Sequence, residues 1–113
     1  YFGNCIITGS KESELGFDFS LEAIFNYKIQ GSLVNINTNP PAANFDLTDT
    51  SHFSQCIFNE DPSFMIPSSY NYELDSSSKA IDIGLLEAAQ RVPYDAQKKN
   101  RIINPDAGAL ERI

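Results

Sequence analysis

Asn4-Cys5-Ile6-Ile7 has two counterparts further along the chain, Gly31-Ser32-Leu33-Val34 and Gln55-Cys56-Ile57-Phe58, at steps of 27 and 24 residues. Each segment reads as a small or polar residue, a small residue, an aliphatic residue and a second apolar residue. A step in the mid-twenties leaves room for two or three strands joined by turns. Such a unit cannot bury its apolar face alone and has to stack on its neighbours. Stacked strands run parallel, about 4.8 Å apart, and line up equivalent side chains in ladders. The register predicts one ladder of Cys5, Ser32 and Cys56 and another of Ile6, Leu33 and Ile57. Two layers of stacking separate Cys5 from Cys56 by roughly 9–10 Å. A disulfide needs Cα atoms within about 7 Å, so two free, largely buried thiols are expected.

Outward from these segments the pattern continues in period two. Phe17, Phe19 and Leu21 alternate with polar residues, and so do Phe25, Tyr27 and Ile29. Such alternation marks strands with one buried face. Residues 37–44 contain Pro40-Pro41, which removes two ladder donors, so this stretch is expected to be a loop. Residues 10–15 are expected to turn.

From residue 61 the text changes character. It runs Asp61-Pro62-Ser63-Phe64, then Tyr72-Glu73-Leu74, then Ser78-Lys79-Ala80-Ile81-Asp82-Ile83-Gly84. Val92-Pro93-Tyr94-Asp95 with Arg101 follows, and Pro105-Asp106-Ala107-Gly108-Ala109-Leu110-Glu111 ends the series. These five blocks, in this order, resemble the C-terminal signature of bacterial right-handed parallel β-helix proteins, the choice-of-anchor Q and pectate-lyase-like set. The chain departs from that signature in three places. Lys79 stands where proline is usual, residues 96–100 lack the usual glycine-containing turn, and Leu110 replaces an aromatic residue.

The resemblance, with the repeat, implies an all-β right-handed parallel β-helix of about three terminal coils. Residues 1–74 would form the coils, and residues 75–113 a C-terminal capping segment of the same domain. Leu85, Leu86, Ala88 and Ala89 predict a short helix in that cap, ended before Pro93. Asp82, Asp106 and Glu111 sit in apolar or turn-like runs, where an acid usually bonds backbone amides. Arg101 is the natural partner for one of them, because its planar fork suits a carboxylate. These four residues are expected to hold the cap together. Tyr70, Tyr72 and Tyr94 lie near turns, with an apolar body and a polar tip. They are the candidate ligand-binding residues, by stacking on sugar rings.

Net charge is −7. Residues 1–90 carry 12 acids and 3 bases, whereas residues 91–113 carry 3 acids and 5 bases. A phosphate-binding surface needs clustered Lys and Arg, so nucleic acid and anionic membranes are poor partners. No apolar run reaches transmembrane length. The chain opens at Tyr1 in mid-pattern, without Met or a signal peptide, and reads as a piece of something longer, with upstream coils of the same protein as its neighbour.

No nucleophile elbow, metalloprotease helix, P-loop or dinucleotide fingerprint is present. His52 is the single histidine. Glycosidases need two carboxylates about 5–9 Å apart, and Asp46 with Asp49 or Glu60 with Asp61 are the close pairs. Asp46 and Asp49 would give only two ligands to a Ca²⁺ ion. Lys28 is nearly the only positive charge on the strand candidates, which counts against a lyase centre here. The expectation is therefore a non-catalytic part of a secreted or cell-surface bacterial protein that binds a glycan or another surface ligand, without cofactor or metal. Two other readings are a scaffold for a polysaccharide lyase or glycosidase with its site upstream, and an adhesin stalk.

Overall fold

In the computed structural model, residues 1–16, 26–36 and 46–112 are described. The expected strand over Phe17–Leu21, Phe25 and the loop at 37–44 lie outside them. Each repeat contributes two strands of two residues. The first strands are β1 (Phe2–Gly3), β3 (Ile29–Gln30) and β5 (Phe53–Ser54); the second are β2 (Ile6–Ile7), β4 (Leu33–Val34) and β6 (Ile57–Phe58). They form two parallel three-stranded sheets, ordered β1-β3-β5 and β2-β4-β6. The register matches the expected one: Ile6 pairs with Leu33, and Leu33 with Ile57.

A left-handed residue joins the two strands of every repeat: Asn4, Gly31 and Gln55, with φ between 51° and 59°. These three stack in the same register and turn the chain from one sheet into the other. In the middle repeat only glycine fits. A Cβ on Gly31 would lie 2.9 Å from the Leu85 backbone nitrogen and 2.7 Å from Asn4 Oδ1.

Alternation along the second strands sends neighbours to opposite sides. Val34 joins Ile29, Ile36 and Phe53 in one core, with Ile7 and Phe58 against it. Leu33 joins Leu74, Ala80 and Ala107 in a second core, flanked by Ile6, Ile57 and Phe64. The middle repeat is the most buried, with Ile29, Leu33, Val34 and Ile36 all at 0% exposure. Full burial of each such side chain contributes about 1.5–3 kcal/mol.

The β-helix expectation is overturned. Each parallel strand is only two residues long, and the described residues contain no closed or solenoid sheet. After β6, Asn59 and Ser63 take positive φ around Pro62, and the chain leaves the parallel register. It forms an antiparallel hairpin of β7 (Phe64–Ile66) and β8 (Asn71–Leu74), closed by a 3₁₀ turn at Pro67–Ser69 and left-handed Tyr70. The remaining tail adds no coil. It lies along the flank of the parallel sheets, on the face made by Ile6, Leu33 and Ile57, and not across the end of a stack. Leu85 N donates to Asn4 Oδ1 at 2.6 Å, Asn4 Nδ2 donates to Leu85 O at 3.0 Å, and Gly108 N donates to Asn4 O at 2.8 Å. The expected helix is present as α1 (Leu86–Arg91). It buries Ala89 and leaves Leu86 exposed, so it shields little of either core. Among the described residues no helix is long and apolar enough to cross a membrane.

Candidate functional site

The hairpin and the tail wall a groove of about 730 Å³ against β2. Tyr70, Tyr72 and Phe64 line it from the hairpin, Cys5, Ile6 and Thr8 from β2 and its flanks, and Ala96 with Gly108, Ala109 and Leu110 from the tail. The hairpin turn sets the tyrosines. Pro67 starts the 3₁₀ turn, and Tyr70 N donates to Pro67 O from a left-handed backbone, which pushes the Tyr70 ring outward to 84% exposure. Tyr72, two residues on, packs edge-on against Phe64 at 5.3 Å between ring centres and stays half exposed. Tyr94, the third candidate, is not in the groove; it bridges to Asn100 in the tail and is exposed there.

Both thiols are free and half-buried. Cys5 Sγ donates to Gly3 O at 3.3 Å and Cys56 Sγ to Ile29 O at 3.2 Å. Burial pushes both thiols up from their ordinary range. They stay protonated at neutral pH and are poor nucleophiles.

The tail acids form a second constellation. Arg101 sits at the centre, with Nε 2.9 Å from Glu111 Oε1 and its terminal nitrogen 2.8 Å from the same oxygen. That nitrogen also donates to Gly108 O at 2.8 Å. Glu111 Oε2 accepts the Asp106 amide. Asp106 in turn accepts the amides of Asp82 and Arg112. Asp82 thus joins through its backbone, at a left-handed turn, and its carboxylate is exposed. Sequence reasoning missed one member, Asp95, which accepts amides from Gln97, Lys99 and Glu111. Its signal was present: an acid after Pro93-Tyr94, two residues before a polar turn, favours bonding to its own downstream amides. Burial pushes Asp95 up, but the three amides and Lys99 together hold it below the ordinary carboxylate range. Burial raises Glu111, outweighing the Asp106 amide and Arg101. With the carboxylates of Asp95, Asp106 and Glu111 engaged by backbone amides or arginine, this constellation is a clasp.

Asp46 and Asp49 head separate turns. Asp46 Oδ1 accepts the amide and hydroxyl of Thr48, and Asp49 Oδ1 those of Ser51. Asp49 Oδ2 meets His52 Nδ1 at 2.8 Å, and the imidazole stacks on Tyr27 at 4.0 Å. The Ser51 hydroxyl, then His52, lowers Asp49 below its usual range. Glu60 and Asp61 line a smaller cleft with Thr8 and Asn35, where Asp61 Oδ1 accepts the Ser63 amide. Among the described residues no three acidic, histidine or cysteine side chains cluster as metal ligands. Comparison with family models, with curated proteins and with solved structures returned no match.

Proposed function

We propose that this chain is a non-catalytic recognition module of a secreted or cell-surface bacterial protein, and that it binds a glycan in the groove between the hairpin, β2 and the tail. The observation that carries this reading is the pair of exposed rings, Tyr70 and Tyr72, on the wall of that groove. Exposed aromatic rings beside a concave surface supply large contact area at little conformational cost. The engagement of Asp46, Asp49, Asp95, Asp106 and Glu111 by turns and by the clasp supports binding over catalysis. The tail blocks from residue 61 to residue 111 support an envelope location; the fold that accompanies them in the family they resemble is not carried over.

A glycan array probed with the chain, followed by titration of the hits, tests the reading. Binding that Tyr70→Ala with Tyr72→Ala abolishes, at unchanged melting temperature, supports it. Retention of binding by that double variant contradicts it.

A further inference from the structure

Ile6 lines the groove from β2, a strand edge that pairs with no further strand among the described residues. β2 is the outermost strand of its sheet. Leu33 and Asn35 donate their amides to the carbonyls of Cys5 and Ile7, so these two carbonyls face β4. Alternation along the strand turns the N–H and C=O of Ile6 the other way. Among the described residues nothing bonds either group. Just before β2 the chain is covered, because Gly108 N donates to Asn4 O at 2.8 Å. The opening falls at Ile6 and Thr8, where the groove lies.

The polar inventory of the groove is short. Both ends of the Asn4 amide are taken by Leu85. Thr8 Oγ1 accepts from Asn35, which leaves its hydroxyl hydrogen to donate. Among the described residues no charged side chain lines the groove, and the chain carries net charge −7. A sugar hydroxyl both donates and accepts, so neutral hydroxyls can pair with the N–H and C=O of Ile6 at once. A carboxylate only accepts. Against this apolar wall it would lose water without meeting a cation, in the field of an acidic protein.

We propose that the groove selects an uncharged saccharide over an acidic one, with sugar faces on Tyr70 and Tyr72 and hydroxyls on the Ile6 backbone and Thr8. This rests on the glycan reading above and narrows it. The experiment is calorimetric titration of the chain with neutral gluco-, xylo- and manno-hexasaccharides and with hexagalacturonate, paired with amide NMR spectra. The expected result is that a neutral oligosaccharide binds at least about tenfold tighter than the uronate and shifts the amides of Ile6 and Thr8. Uronate binding of equal or greater strength, lost in the Tyr70→Ala/Tyr72→Ala variant, overturns the selectivity and leaves the groove reading standing. Failure of every oligosaccharide to bind overturns both. Neutral binding with the Ile6 amide unmoved overturns the role assigned to Ile6. An extended Thr-Val repeat peptide that shifts Ile6 where no saccharide does also overturns the proposal, because the edge then takes an added strand.

Discussion

The parallel sheets and the tail are held by different physics. In β1 to β6, backbone ladders and stacked aliphatic side chains do the holding, with β4 buried on both faces. Between Asp75 and Arg112 the chain has one helix of six residues and an isolated bridge, so few of its amides enter regular structure. There Asp95, Asp106, Arg101 and Glu111 satisfy the amides one at a time. Packing that spreads over many contacts fails gradually. A clasp with one arginine at its centre fails at a point, since removing one partner of a buried pair leaves the other charge uncompensated.

The two regions should therefore separate under mutation. Arg101→Ala strands the Glu111 carboxylate and is expected to cost about 3–5 kcal/mol. Hydrogen exchange should show lost protection at Asp106 and Arg112 while Val34 and Ile29 keep theirs. Equal loss in both regions would erase the distinction. Leu33→Ala is expected to cost about 2–5 kcal/mol. Leu33 lies between the sheet and the tail, so urea unfolding should shift to lower midpoint for both regions together. Gly31→Ala combines a left-handed backbone with a close approach to the Leu85 nitrogen. It is expected to cost about 1–3 kcal/mol, seen as a lowered melting temperature.

The smallest effect is in pH. Asp95 is held below its ordinary range in the folded chain, so it binds fewer protons folded than unfolded. Its stabilising contribution is full above the unfolded carboxylate value of about 4 and is lost as pH falls through the folded value. Asp95→Asn should flatten that part of the acid-unfolding curve. Glu111 is shifted the other way, so its contribution is full below its unfolded value and fades as pH rises through its folded one. An unchanged acid limb in Asp95→Asn would show that the three amides bound to its carboxylate do not tune it.

How much of this was legible follows the same division. The sheet register was readable because Ile6, Leu33 and Ile57 repeat an apolar pattern with a polar or small lead residue. The left-handed corners were not, since Gln55 carries no glycine-like cue for positive φ. The family resemblance pointed to a β-helix, yet it carried no information on strand length, and strands of two residues do not extend into a coil. In the tail, the pairing of Arg101 with one of three acids and the amide-binding role of Asp106 follow from residue chemistry, whereas the choice of Glu111 as the partner is set by the fold. Asp95 escaped because its partners are set by where the tail folds back. Tyr94 was grouped with Tyr70 and Tyr72 by type, but the hairpin gathers only the latter two.

The placement of the tail along the flank of the sheets is the central structural claim, and nuclear Overhauser contacts test it most directly. Cross-peaks are expected from Gly31 to Gly84 and to the Leu85 amide, where the backbones approach closely, together with contacts from Leu33 to Ala107. Cross-peaks from the tail to the outer edge of β5 and β6 alone, with none to Gly31, would contradict it and return the tail to the end of the stack.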